Sequence, residues 1–406
     1  MRPFTSTISI EEAKRRLDAA VRPIDRVERA RLDAAAGRIA AADVVSPIDV
    51  PPFARSAMDG YAVIAADVAN ASRSSPARLR LVDRIYTGAP STVVVAPGAC
   101  AEIATGAPIP DGADAVVMVE DTTRGSDESV AVMASAAPGQ HIGRRGADIA
   151  RGDRIVSAGD HLTPARVGAL AAVGIVDVDV YAKPRVAILS TGNEVVDPGQ
   201  PLAPGRIYDV NRFTLGAVVS AHGGIPEPRR AAEDSVAALV AALDACASAD
   251  LIVFSGGSSV GERDLVSDAI AARGDMIFHG IAVRPGKPTA FALIHGAAGP
   301  RPFFGMPGNP TSCLSNAYIL LVPFLRAIAR LPPHEPKTVR VPLARRIASA
   351  AGRHQFYTVR IEDGRAVPAF KGSGDITSLS RADGYIEIAA DRDVVEEGTV
   401  VDVFCF

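Results

Sequence analysis

LIVFSGGSSVGERDLV, residues 251–266, passes from a short apolar run through a glycine-rich turn into a helical pattern. A buried strand of a parallel sheet meets its crossover helix in this order, with loops at the strand ends carrying the chemistry. VAILSTGNEVV at 186–196 repeats the apolar run and the loop, and two further loops follow, VRPGKP at 283–288 and PGNPTS at 307–312. Glycines allow backbone N–H groups to close around phosphate. Glu194, Asp264 and Lys287 add charges of both signs to these loops. The pattern predicts a phosphate-bearing ligand with a divalent cation.

At 406 residues the chain is too long for one ordinary core and predicts two to four domains. A net charge of −3 gives no footprint for a polyanion, which sets nucleic acid aside. Cys100, Cys246, Cys313 and Cys405 are far apart with no CxxC pair, so neither a zinc site nor a disulfide framework is indicated. The opening MRPFTSTISIEEAKRRL has no apolar core of signal-peptide length, and no unbroken apolar run of membrane-spanning length occurs. The expectation is a cytoplasmic protein off the membrane.

Along the chain, SIEEAKRRLDAAV reads as a helix with Ser9 as N-cap and Glu12 completing a capping box. Short alternating strands broken by Gly and Pro fill 51–144, and a helix is expected from about Pro164. The predicted organisation is a helical stem (1–50 with 145–182) and an inserted mainly β domain (51–144). A parallel α/β domain (183–331) follows, then the linker LPPHEP and a small all-β domain (332–406). The fold class is thus multidomain, α/β and β.

Each motif has a plain structural reading beside the functional one. In SGGSSVGERD, Ser255, Gly256, Gly257, Ser258 and Gly261 make a phosphate cradle, or a tight turn with Asp264 as N-cap. The loop has neither the GKS/T of a nucleoside-triphosphatase nor the dinucleotide spacing. Glu194, Asp209 and Asp264 are candidate Mg²⁺ ligands, although an Asp before a helix, as Asp209 is, more often caps it. Lys287 sits between glycine and proline, which restricts its loop and aims it at an anion, with Arg284 and Gly286 beside it. Pro307, Gly308, Asn309, Thr311 and Ser312 open an apolar helix and either punctuate it or bind phosphate. Asp59-Gly60 and Thr105 read equally well as turns. The seven histidines form no HExxH pattern and no serine sits in a GxSxG elbow, which weakens hydrolase and zinc-enzyme readings.

PPFARSAMDGYAV, TGAPIPDGADAVVMVED, STGNEV, IYDVNR, SGGSSVGERD, VRPGKP and MPGNPTS, in this order, closely resemble the molybdopterin molybdenumtransferase family, called MoeA in bacteria and the gephyrin E domain in animals. The resemblance covers nearly the whole chain. It implies an elongated homodimer of four domains, the third similar to the molybdopterin adenylyltransferase (MogA-like) domain. It also implies a Mg²⁺-dependent reaction in which adenylylated molybdopterin and molybdate give molybdenum cofactor and AMP. Matched by position, Asp59, Thr105, Glu194, Asp264 and Lys287 fall on family residues important for activity, and Arg353 with Ser378 on a molybdate-side pocket. Transient contact with molybdopterin adenylyltransferase and cofactor-accepting enzymes follows from the same resemblance. The chain departs from the pattern at Arg284, where many relatives have lysine, and at Thr358, where arginine is common. Glu233 and Asp234 are alternatives for one acidic family position.

Two rival functions share parts of this reading. A molybdopterin adenylyltransferase would need only the α/β domain and would leave PPFARSAMDGYAV without a purpose. A non-enzymatic scaffold, as in the animal relative, lacks here a fused adenylyltransferase domain and a long linker.

Overall fold

The structure is a computed structural model and describes residues 7–89, 91–192, 194–230, 235–256, 265–297, 299–349 and 352–406. The chain divides into two compact units, one of Arg29–Ala36 with Ala40–Val180 and one of Met1–Glu28, Gly37–Ile39 and Tyr181–Phe406.

In the larger unit six strands form one sheet: β1 (Arg185–Ser190), β2 (Ile225–Arg230), β3 (Leu251–Ser255), β4 (Gly274–His279), β5 (Ala290–Ile294) and β6 (Arg301–Met306). Their order is β2-β1-β3-β6-β5-β4. The pairs β1–β2, β1–β3 and β3–β6 are parallel, whereas β5 runs antiparallel to both β6 and β4. Both faces of the sheet are covered, so strands such as LIVFS are buried at every position, as their unbroken apolar run requires. One core packs Val186, Ile188, Val253 and Phe304 against Leu215, Leu320 and Leu325. The other packs Leu189, Ile252 and Phe254 against Leu239, Leu243 and Ile270.

The apolar stretch after PGNPTS is helical from Pro310 to Asn316, passes through a π-type turn at Ala317–Leu321 and continues as Val322–Ile328. Despite its interruptions by Asn316, Tyr318 and Arg326, Pro310–Ile328 is long and apolar enough, by length and composition only, to cross a bilayer; 72% of it is buried against the sheet, as a core helix requires.

The opening helix, Ile10–Ala20, belongs to this larger unit: Ile10, Ala13 and Leu17 lie in the same core as β1. The placement differs from the stem read at 1–50. The amphipathic face of the helix fits the exposed flank of the α/β core, and its sequence holds nothing that names the core it joins. Ser9 Oγ accepts the Glu12 backbone N–H (3.2 Å), while the Glu12 carboxylate pairs with Arg15 and Arg16.

The C-terminal residues form a second six-stranded sheet, built from Thr338–Pro342, His354–Glu362, Gly384–Ile388 and Val400–Cys405, with Arg365–Pro368 beside His354–Glu362. Its sixth strand is Val283–Arg284, from the α/β part of the sequence, paired parallel with His354 and Gln355. The boundary drawn at 331 is therefore crossed by the RPGK loop.

The smaller unit holds a six-stranded sheet of short strands, among them Gly60–Val63, Ala77–Ile85, Ala99–Ile103 and Ala115–Met118, over cores centred on Tyr61, Val117, Ile103 and Val116. The helical character expected in 29–50 and 145–182 reduces to Pro164–Ala172, capped by Thr163, and a 3₁₀ turn at Leu32–Ala34. The rest of these stretches is strands and turns, because their alanines sit among Gly, Pro and β-branched residues that break the helical period.

Candidate active site

The C-terminal ends of β1, β3 and β6 open onto a cavity of about 1080 Å³. Among its lining residues are Glu194, Asp209, Ser255, Gly256, Arg284, Gly286, Lys287, Pro307, Gly308, Asn309, Ser312 and Arg353, all singled out from sequence. Gly257, Ser258, Gly261, Asp264, Glu233 and Asp234 lie outside the described residues.

The strand-end loops approach too closely for side chains. Gly256 has φ +105°, and a Cβ there would sit 2.5 Å from the Thr191 carbonyl oxygen. Gly286, also at φ +105°, would place a Cβ 2.1 Å from Asn316 Nδ2. Asn316, fully buried, donates to the Gly286 carbonyl (2.9 Å) and to Thr289 Oγ1 (2.6 Å), and Thr289 Oγ1 donates to the same carbonyl (2.8 Å). The loop carrying Lys287 is thus held from below by a helix residue. The Lys287 carbonyl accepts from Ile281 N–H (2.9 Å).

The two described carboxylates differ sharply. Glu194 is exposed and lines the cavity, and its carboxylate has no hydrogen bond or ion pair among the described residues. Asp209 is buried, and both its oxygens are engaged: Oδ2 accepts from Ser190 Oγ (2.6 Å) and faces Arg212 Nε (3.3 Å), and Oδ1 accepts the Arg212 backbone N–H (3.0 Å). Arg212 also pairs with Asp197. Asp209 therefore caps the helix Asn211–Ala221 and anchors an ion pair, and the arrangement does not favour the metal role considered for it. Among the described residues no group of three or more His, Cys, Asp or Glu is placed to hold a metal.

Cationic side chains dominate the rim. Arg284, Lys287, Arg353 and Lys371 all line the cavity. Arg284 and Arg353 are neighbours because Val283–Arg284 pairs with the strand that Arg353 precedes. Lys371 was not legible as a site residue in the sequence: KGSG at 371–374 looks like an ordinary polar turn. It reaches the cavity because Asn309 Nδ2 donates to Ser373 Oγ (3.0 Å), Thr311 N–H to the Ser373 carbonyl (3.1 Å) and Thr311 Oγ1 to the Asp375 carbonyl (2.8 Å). Ser378 does not line the cavity. Fully buried, it accepts the Lys371 backbone N–H (3.0 Å) and shapes the loop. Cys313 lies under Ser255 (3.9 Å) with its thiol pushed up to about 12 by burial, which removes it as a nucleophile.

Asp59 and Thr105 lie in the smaller unit and meet there: the Thr105 backbone N–H donates to Asp59 Oδ1 (2.7 Å). Both are exposed. The two motifs that carry them are joined again where Ser56 N–H donates to the Ala107 carbonyl and Gly106 N–H to the Ser56 carbonyl. Gly60 must be glycine, since a Cβ would fall 1.9 Å from the Val117 carbonyl oxygen.

Comparison with known proteins bears on the whole chain. Residues 8–174 match the family description "MoeA N-terminal region (domain I and II)", 187–327 "Probable molybdopterin binding domain" and 340–406 "MoeA C-terminal region (domain IV)". Molybdopterin molybdenumtransferase 2 of Mycobacterium tuberculosis is 36% identical over 384 residues, covering 92% of this chain and 93% of that protein. The molybdopterin molybdenumtransferase of Haemophilus influenzae is 33% identical, with 93% of each covered. A molybdopterin biosynthesis MoeA protein of Pyrococcus horikoshii, known from its crystal structure, superposes with a TM-score of 0.83 at 38% identity, over 98% of this chain and 99% of that one. With its ordered motifs, its strand-end cavity and these matches along nearly its full length, the chain belongs to the MoeA family of molybdopterin molybdenumtransferases.

Proposed function

We propose that the chain is a transferase of molybdenum cofactor biosynthesis that inserts molybdate into adenylylated molybdopterin with release of AMP, in a Mg²⁺-dependent reaction. The observation that carries this reading is the convergence, in one cavity, of glycine loops, four cationic side chains and the carboxylate of Glu194, which has no partner among the described residues. A terminal phosphate and an adenylyl linkage call for N–H groups and cations, and molybdate for an oxyanion pocket.

The residues present fit Mg²⁺, which takes one or two carboxylates, substrate phosphates and waters rather than a full protein cage. Glu194 would hold it, with Asp264 as the second candidate ligand. When bound, the ion neutralises phosphate charge at the bond that is cleaved. Lys287 and Arg284 bind phosphate oxygens and orient them, and the planar guanidinium of Arg284 offers two parallel donors where lysine offers a point charge. Arg353 and Lys371 supply the charge of a separate oxyanion pocket, with Ser378 fixing the Lys371 loop. Asp59 and Thr105, which match family positions important for activity, are the candidate catalytic residues of the smaller unit. We read the protein as a cytoplasmic homodimer, with transient contacts to molybdopterin adenylyltransferase and to enzymes that accept the cofactor.

The test is to supply purified protein with adenylylated molybdopterin, molybdate and Mg²⁺, and separately with molybdopterin and ATP. Molybdenum cofactor and AMP in the first mixture, with no adenylylated product in the second, support the proposal. Adenylylation in the second mixture would assign the adenylyltransferase reaction instead.

A further inference from the structure

Two buried polar atoms on the cavity wall have no partner in the protein among the described residues: Thr191 Oγ1 and Asn211 Oδ1. Both residues are 7% exposed, both line the cavity and both are anchored to Ser255. Thr191 N–H donates to the Ser255 carbonyl (3.1 Å), and Asn211 Nδ2 donates to Ser255 Oγ (2.7 Å). Asn211 Nδ2 also donates to the Gly308 carbonyl (2.7 Å). That carbonyl can only accept, so it fixes which end of the carboxamide is nitrogen and leaves Oδ1 as an acceptor without a donor.

A buried polar atom left unpaired costs about 1–3 kcal/mol, so two on one wall of a cavity point to a ligand group that completes them. Phosphate cannot be the group that completes Asn211 Oδ1, because its oxygens only accept at neutral pH and would face that oxygen with like polarity. The Thr191 hydroxyl can donate or accept, so it is the pairing with Asn211 that calls for an N–H donor. The anion-binding side chains are Arg284, Lys287, Arg353 and Lys371. We infer that Thr191 and Asn211 are ligand-contact residues that read the N–H donors of a neutral heteroaromatic edge, such as the amino and ring N–H groups of a pterin. This rests on the reading of the cavity as a molybdopterin site. It divides that site into an anionic region served by cations and an uncharged N–H-reading region at the end of β1 and the start of the helix Asn211–Ala221.

Thr191→Val tests it, because valine keeps the shape and removes a hydroxyl that no described residue of the protein uses. Binding of molybdopterin and of pyrophosphate is measured by calorimetry on wild type, Thr191→Val and Thr191→Ser, each with and without Mg²⁺. Expected are an unchanged or raised melting temperature for the valine variant and a two- to tenfold loss of molybdopterin affinity, on the order of one neutral hydrogen bond. Pyrophosphate binding should be unaltered and the serine variant should bind close to wild type. Equal molybdopterin affinity for wild type and valine variant, or a parallel loss for pyrophosphate, would overturn the assignment. A loss confined to solutions containing Mg²⁺ would overturn it too, because the donor would then be water on the cation. Wild type that binds pyrophosphate but not molybdopterin would instead sink the functional reading on which the inference stands.

Discussion

Asn316 Nδ2 lies 2.9 Å from the Gly286 carbonyl oxygen and 2.1 Å from the place a Cβ on Gly286 would occupy. One buried amide thus both holds the Lys287 loop and forbids any side chain at its apex. Gly286→Ala fits only if the Asn316 side chain moves, and adds backbone strain at φ +105° of about 1–3 kcal/mol. Urea unfolding should show a loss of at least that size, together with weakened anion binding. Adding Asn316→Ala should relieve the steric part and leave the backbone part. A Gly286→Ala protein as stable as wild type would show that the loop is not clamped in solution.

Glu194 and Asp209 should separate cleanly on mutation. Glu194→Gln removes a carboxylate with no described partner, so stability should stay within about 0.5 kcal/mol while Mg²⁺-dependent AMP release is lost. Asp209→Asn keeps one oxygen for the Arg212 N–H but removes the charge beside the Arg212 guanidinium and turns an NH2 toward Arg212 Nε and Ser190 Oγ, and should destabilise by about 2–5 kcal/mol. Wild-type AMP release by Glu194→Gln at limiting Mg²⁺ would remove it from the metal site.

Lys371 is exposed on a loop tied to Asn309 and Thr311, and its charge faces the cavity. Lys371→Ala and Lys287→Ala should each weaken binding of the anionic substrate by about 1.5–3 kcal/mol at low salt, the scale of a charged hydrogen bond. The Lys371 effect should shrink more as salt rises, because an exposed charge is screened more readily. Unchanged affinity for Lys371→Ala by calorimetry would mark it as a solvated surface residue.

Acid should destabilise the larger unit through His222. Its ring packs against His334 (4.8 Å) and Tyr318 (6.3 Å), and burial followed by the charges of His334 and Arg326 pushes its pKa down to about 4 from an ordinary 6.5. The unfolded chain binds the proton first, so stability falls as pH drops from about 6.5 to about 4, by up to ~3 kcal/mol at about 1.36 kcal/mol per pKa unit. Burial and Arg326 lower His334 in the same direction. His222→Phe should flatten this part of the stability profile in equilibrium unfolding across pH 4 to 7. A slope equal to wild type would show that other groups carry the acid sensitivity.

The α/β sheet and the loops at its strand ends were legible because their signals are local. Four consecutive apolar residues followed within three positions by glycine, as at 186–192 and 251–256, specify a buried strand and a tight turn whatever surrounds them. The ordered motifs named the family for the same reason. Other features depended on contacts between residues far apart in sequence and so had no local signature. Helix Ile10–Ala20 joins the α/β core rather than a stem, and Val283–Arg284 becomes a strand of the C-terminal sheet. Ser373 is bonded to Asn309 and brings Lys371 to the cavity, 84 positions after Lys287 by numbering. Asp209 reads in sequence as a helix cap or a metal ligand beside a phosphate loop, and only the fold shows that Ser190 and Arg212 take its oxygens. The sequence by itself determined which residue types stand at the strand ends. The tertiary structure decided which of their polar atoms are already spent on the protein and which remain for a ligand, since hydrogen-bond saturation is a property of neighbours in space.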